Sequence, residues 1–207
     1  MRPHDLEQAL SENLGTEIIV VRTKEEIDPT RLHQGERNRL SDLRFEKRRR
    51  DWLLGRKALK EILLTLGENS DTMGVTYPGS RVSLTHAGQI AYAAATPEKD
   101  HGIGIDYEPF RDLDTRVARW FLTDEESEWF NVRPETDRSS ELVRLWTVKE
   151  AAFKCHPDNG RLSFRDISIN EPSGNVCVAA AAGRRIKIAI EACGSGYLSV
   201  AICGEKQ

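Results

Sequence analysis

The apolar positions mark out the elements before any other property is needed. Residues 16–22 (TEIIVVR) form a short apolar run and predict a strand. Residues 23–40 are charged and interrupted by Pro29 and Gly35, so they read as loop or a short helix. From Ser41 to Leu66 apolar residues recur at helical spacing: Leu43, Trp52, Leu59, Ile62, Leu63, Leu66. That pattern predicts one helix with Ser41 as N-cap and Gly67 as its stop. Residues 67–80 carry turn chemistry, and strands are expected over 81–85 and 89–95, joined by His86-Ala87-Gly88. A third strand, 102–107, alternates Gly, Ile, Gly, Ile, Asp. Helical segments follow near 113–120 and 124–130, the second capped by Thr123 with Glu126 three residues on. Another helix should cover 139–155 and stop before Pro157. The remaining strands are expected at 166–169, 176–181, 185–192 and 197–203.

The two halves of this pattern echo each other. Each has a long amphipathic helix with basic residues, then a turn-rich stretch, then strands ending in small-residue runs; GQIAYAAA in the first answers GYLSVAIC in the second. The expected fold class is α+β, built as two similar α+β halves in tandem, 1–105 and 106–207.

Composition narrows the function classes. The chain has 207 residues, 39% hydrophobic and 30% charged, which fits a folded soluble protein. Its formal charge of −3 argues against a chain whose main work is gripping a nucleic-acid backbone. No apolar run approaches the ~20 residues that cross a bilayer, and the polar start MRPHDLEQALSENLG lacks a secretory h-region. Cys155, Cys177, Cys193 and Cys203 form no CxxC pair and have no histidine at zinc-ligand spacing. They read as reduced thiols of a cytoplasmic protein.

Four segments carry candidate chemistry. In Gly102-Ile103-Gly104-Ile105-Asp106-Tyr107-Glu108, strand alternation puts Asp106 and Glu108 on one face and both isoleucines on the other. Two carboxylates on one face repel unless a cation lies between them, and hard oxygen donors suit Mg2+. Gly102 and Gly104 leave that face bare, so a ligand is expected to approach closely there. A solvated strand end fits the same residues. In the helix, Glu150 and Lys154 stand four residues apart, which is also the spacing of a solvent-face ion pair. The same stripe runs back through Trp146 and Leu142, so Glu150 is expected where the stripe leaves the core, at a cleft. Ser83-Leu84-Thr85-His86 offers hydroxyls and an imidazole beside a turn, groups able to hold a phosphate. Lys47-Arg48-Arg49-Arg50 winds around a helix axis, leaving Arg48 or Arg49 to share a face with Arg56 and meet a terminal phosphate.

Taken in order, these segments resemble the 4'-phosphopantetheinyl transferase superfamily. Its signature is a strand ending in G-[IV]-D, then some forty residues later a helix [FW]-[ST]-x-K-E-[AS]-x-x-K. Here Gly104-Ile105-Asp106 is followed by Trp146-Thr147-Val148-Lys149-Glu150-Ala151-Ala152-Phe153-Lys154, with Glu150 44 residues after Asp106. Ser83-Leu84-Thr85-His86 looks like the family's [SN]-[IL]-[ST]-H element, and Arg48 to Arg56 like its R-R-x-[EF]-x-x-G-R helix. The length is similar to that of the long, surfactin-synthetase-activator (Sfp-type) members, which carry two halves related by a pseudo-twofold with the active site between them. One departure stands out: where long members often carry Gly-Lys-Pro, this chain reads Tyr77-Pro78-Gly79-Ser80-Arg81, leaving Arg81 to supply some of the missing charge.

The resemblance implies an enzyme of the holo-[acyl-carrier-protein] synthase type. It would move the 4'-phosphopantetheine arm of coenzyme A to a serine of an acyl or peptidyl carrier protein and release 3',5'-ADP. It implies Mg2+ held by Asp106, Glu108 and Glu150, with Glu150 taking the serine proton and Lys154 stabilising phosphate charge. It places Thr85 and His86 on phosphate oxygens, Arg48 and Arg56 on the 3'-phosphate of coenzyme A, and the carrier near 111–133, where Arg116, Arg119, Trp120 and Phe121 mix charge and apolar surface. The expected partners are coenzyme A and the carrier, with no nucleic acid or membrane, and the expected state is a monomer. The alternatives are a carrier-binding module without catalysis, or a metal-dependent nuclease.

Overall fold

The computed structural model describes residues 3–76, 80–98, 100–170 and 172–204. The polar N-terminus folds as helix α1 (Pro3–Leu14), which the linear pattern did not reveal. Leu6, Leu10 and Leu14 fall on one face at four-residue spacing and are buried, and Gly15 ends the helix at a positive φ of 74°. Strand β1 (Ile19–Thr23) follows. Its Val20 N–H donates to Glu7 Oε1 of α1 at 2.9 Å, so the helix blunts the sheet edge.

The single helix expected over 41–66 is two: α2 (Gln34–Asp42) and α3 (Glu46–Thr65). Ser41 is not an N-cap; it lies in the last turn of α2 and donates to the Asn38 carbonyl at 2.6 Å. Arg49 explains the break. Its Nη1 donates to the carbonyls of Leu40 at 2.9 Å and Leu43 at 3.4 Å, groups a continuous helix would have used itself. The stop at Gly67 stands as expected: φ is +71°, and the Glu68 N–H returns to the Leu63 carbonyl at 2.9 Å.

Strands β2 (Val82–Ala87) and β3 (Ile90–Ala95) form a hairpin turning at Gly88, two residues later than the expected end of the first strand. Then come β4 (Gly102–Pro109), α4 (Asp124–Asn131) and α5 (Glu135–Cys155). The helix expected at 113–120 is a 3-10 segment, Thr115–Trp120. The Thr123–Glu126 capping box of α4 is present as read. The chain closes with β5 (Ser168–Asn170), β6 (Val176–Ala181), β7 (Arg184–Cys193) and β8 (Gly196–Cys203).

The fold is α+β with two antiparallel sheets, ordered β1-β3-β2 and β4-β8-β7-β6-β5. The echo seen in sequence has a topological counterpart. In each sheet the last strand of the half (β3, β8) lies between the first (β1, β4) and the penultimate (β2, β7). Helix α3 covers one face of the smaller sheet and α5 one face of the larger. The remaining two faces share a core with α1, formed by Leu10, Tyr92, Ile105, Leu198 and Val200 among others. The expected division at 105/106 falls within β4.

Candidate active site

The site is assembled where β2, β4 and α5 meet. Two hydroxyls of β2 bridge to β4: Ile105 N–H donates to Ser83 Oγ at 3.1 Å and Tyr107 N–H to Thr85 Oγ1 at 3.4 Å. Strand alternation holds. Ile103, Ile105 and Tyr107 enter the shared core, which sends Gly104, Asp106 and Glu108 toward α5. The expectation that Gly102 and Gly104 leave room for a ligand is corrected at Gly104. A Cβ there would lie 2.0 Å from the Ala151 carbonyl oxygen, so the α5 backbone itself occupies that space. This close approach carries Glu150 and Lys154 to the carboxylates of β4.

Asp106 is buried and strongly engaged. Its Oδ1 accepts from Thr85 Oγ1 at 3.0 Å and from Lys154 Nζ at 2.7 Å. Lys154 also donates to the Ile105 carbonyl at 3.2 Å. The expected alternative, a solvent-face pair of Glu150 with Lys154, is not what forms; among the described residues the ion pair of Lys154 is to Asp106. Asp106 Oδ2 is buried and has no hydrogen-bond partner among the described residues. A buried carboxylate oxygen left so costs about 1–3 kcal/mol or more.

The other two acids feel this crowding. Burial pushes the Glu150 carboxyl above its ordinary value; Lys154 pulls it back, and the charges of Asp106 and Glu108 push it up again. Burial likewise raises Glu108, against the Arg111 guanidinium 3.2 Å away, while Asp106 adds to the rise. The nearby Trp146 indole and Lys154 ammonium work against that rise. The pairing of Arg111 with Glu108 was not read from sequence, though Arg111 stands three residues after it. Asp106, Glu108 and Glu150 therefore lie near enough for their charges to act on one another.

The donor chemistry suits a hard divalent cation: carboxylate oxygens, one orphaned, two raised first by burial and then by neighbouring acid charge. Among the described residues no group of three or more His, Cys, Asp or Glu is already gathered closely enough to hold a metal, and the Lys154 ammonium supplies the positive charge on Asp106.

The remaining candidates are spread more widely. His86 is exposed on β2, next to Thr85 but on the alternate face. Arg56 reaches Thr72 Oγ1 at 3.0 Å and lies 5.1 Å from the Trp52 ring centroid. Helix α3 sits against β2 at Gly55, where a Cβ would come within 3.0 Å of Leu84. Arg48, two turns earlier, is exposed over the Phe45 ring at 5.7 Å. Arg49 is committed to the carbonyls at the end of α2. Arg81 pairs with Glu68 at a cleft of about 390 Å3 whose rim includes Asp71, Thr76 and Ser80. Of the segment noted for its missing lysine, Tyr77, Pro78 and Gly79 lie outside the described residues. Beyond β4, Leu113, Val117, Trp120, Phe121 and Trp146 line an apolar cavity of about 320 Å3. Trp120 there is 69% exposed, with Arg119 4.8 Å from its ring. Among the described residues no helix is long and apolar enough to cross a membrane.

Comparison with known proteins matches residues 102–203 to the model of the 4'-phosphopantetheinyl transferase superfamily. The chain is 35% identical over 118 residues to 4'-phosphopantetheinyl transferase Npt of Nocardia iowensis, covering 53% of this chain and 52% of that protein. It is 31% identical over 55 residues to 4'-phosphopantetheinyl transferase gsp of Aneurinibacillus migulanus, covering 27% of this chain and 23% of that one. The matches thus span about half and a quarter of these relatives' lengths. A solved holo-[acyl-carrier-protein] synthase of Thermotoga maritima aligns with a TM-score of 0.43 at 19% identity, over 51% of this chain and 64% of its own.

Proposed function

We propose that the protein transfers the 4'-phosphopantetheine arm of coenzyme A to a serine of an acyl or peptidyl carrier protein, releasing 3',5'-ADP; the match of residues 102–203 to the 4'-phosphopantetheinyl transferase superfamily supports this reading. The observation that carries this reading is the meeting of Asp106, Glu108, Glu150 and Lys154 at the β4–α5 contact. On this reading the protein is of the Sfp type, cytoplasmic and a monomer, with 1–105 and 106–207 as its two halves.

Asp106, Glu108 and Glu150 would hold a single Mg2+. Bound there, the ion supplies neutralisation and fixed geometry to the diphosphate of coenzyme A. The chain's own residues do the rest. The carrier serine oxygen attacks the β-phosphorus, a new P–O bond forms, and the bond to the 3',5'-ADP oxygen breaks. Glu150 accepts the serine proton, a role favoured by a carboxyl that burial raises above its ordinary value. Lys154, already placed on Asp106, balances charge building on the phosphate and the leaving oxygen. Thr85 and His86 take phosphate oxygens, with Thr85 also fixing Asp106. Arg48 and Arg56 take the 3'-phosphate. The carrier docks over the apolar cavity beside Trp120, where Arg111, Arg116 and Arg119 attract its acidic surface.

The test is incubation of the protein with coenzyme A, Mg2+ and an apo carrier, followed by intact-mass measurement. A carrier gain of one phosphopantetheine is expected. Carrier binding without that gain favours a catalytically inactive module, and DNA nicking without it favours the nuclease; either overturns the proposal.

A further inference from the structure

A second buried polar cluster lies away from the carboxylates, between α2, α3 and the 3-10 turn Thr72–Gly74. At its centre is Glu36, fully buried. Its Oε2 pairs with Lys60 Nζ at 2.7 Å and accepts the His33 N–H at 2.8 Å. Its Oε1 accepts the Thr72 hydroxyl at 2.6 Å and the Thr72 N–H at 3.1 Å. Lys60 also donates to the Ser70 carbonyl at 2.8 Å. Burial alone would raise the Glu36 carboxyl; Lys60, the Thr72 hydroxyl and the two backbone amides outweigh it and hold it below its ordinary value.

The direction of these bonds matters more than their number. A threonine hydroxyl has one proton and two lone pairs. Glu36, held ionised, takes that proton, so the Thr72 oxygen is left only as an acceptor. The group that donates to it is Arg56 Nη1, at 3.0 Å. Because Lys60 balances the Glu36 charge, this contact orients Arg56 through a neutral oxygen and not through a carboxylate. The Trp52 ring holds the same guanidinium from another side.

We propose that Thr72, polarised by the Glu36–Lys60 pair, is a positioning residue that sets the Arg56 guanidinium for a phosphomonoester, and so sets the preference of this protein for coenzyme A over its 3'-dephospho form. The proposal rests on the reading of Arg56 as the 3'-phosphate contact. Two requirements follow. Removing the hydroxyl must weaken recognition of the extra phosphate and nothing else, and a serine, which keeps the hydroxyl, must restore it.

The test is calorimetric binding of coenzyme A and of 3'-dephospho-coenzyme A to the full chain, with no carrier needed. In Thr72→Val the affinity for coenzyme A should fall about tenfold, in line with one misplaced charge-assisted hydrogen bond. Affinity for the dephospho form should not move, and Thr72→Ser should behave as the parent. Thr72→Ala gives the same comparison should the valine variant not fold. Equal weakening of both ligands would mean that Thr72 is merely structural, and no change in either would also overturn the proposal. Arg56→Ala separates the two layers of argument. If it abolishes the preference while Thr72→Val does not, only the relay is wrong. If it leaves the preference intact, the assignment of Arg56 fails and the relay with it.

Discussion

Two lysines five residues apart on α5 make opposite kinds of ion pair. Lys149 is 0% exposed and meets Glu126, 2% exposed, at 2.7 Å. Everything around that pair is satisfied. Lys149 also donates to the carbonyls of Phe164 and Ile167. Glu126 accepts the Thr123 N–H at 2.8 Å and the Ile169 N–H at 2.7 Å, capping α4 and covering the β5 edge at once. Lys154 is 29% exposed, and its partner Asp106 keeps one orphaned oxygen while two further acids crowd nearby. The first pair is closed and holds elements together. The second is open: its charge is balanced only in part, and a ligand would complete it. The contrast teaches that what marks a site is the lone pairs and charges left over, since the ion-pair distance is 2.7 Å in both.

The contrast can be broken at its strongest point first. Asp106→Ala removes the orphaned oxygen and the anchor of Lys154 together; transfer to the carrier should fall by more than about a thousandfold while the fold persists. Near-parental turnover in a carrier mass assay would refute the assignment of Asp106. Next, Lys149→Met leaves Glu126 buried with no counter-charge, and urea unfolding should show a loss of about 3–5 kcal/mol. The matched Lys154→Met should cost less than that, because Lys154 is 29% exposed and water reaches its side of the pair. Equal losses would erase the distinction. A smaller effect is expected in catalysis at Lys154: Lys154→Ala should lower kcat about a hundredfold with the affinity for coenzyme A nearly unchanged. A loss confined to affinity would make Lys154 a binding residue only.

The elements of the second half were legible because their signals were local: the Thr123–Glu126 box, the period of α5, the alternation in β4. The first half was harder. Helix α1 hid in a polar stretch because only Leu6, Leu10 and Leu14 mark its face, and the break between α2 and α3 depends on Arg49 folding back onto carbonyls. The site followed the same division. Alternation along β4 put Asp106 and Glu108 on one face, and the Leu142–Trp146–Glu150 stripe put Glu150 at the core's margin. Spacing alone could not say that Lys154 turns to Asp106 and away from Glu150, because that depends on how closely α5 approaches Gly104. Nor could it reveal Thr72 or Glu36, whose contact joins residues 36 apart through tertiary packing.

The mildest expected effect concerns the cost of leaving the open pair open. The Glu150 carboxyl lies above the ordinary 4.5, first through burial and then through Asp106 and Glu108, against Lys154. Such an acid binds its proton more tightly in the fold than in the unfolded chain, so the fold loses stability as pH rises from about 4.5 through the raised value. Glu150→Gln carries no charge at any pH and escapes that loss. With divalent metal chelated, its melting temperature should therefore exceed the parent's at pH 8. The gap should close as pH falls below 4.5, where the parent's Glu150 is protonated in both states. Adding Mg2+ at pH 8 should reverse the order, since the parent gains a ligand-binding term that the variant has weakened. A variant less stable than the parent at pH 8 without metal, or a gap that ignores pH, would show that the three acids do not strain one another and that the open pair is as settled as the closed one.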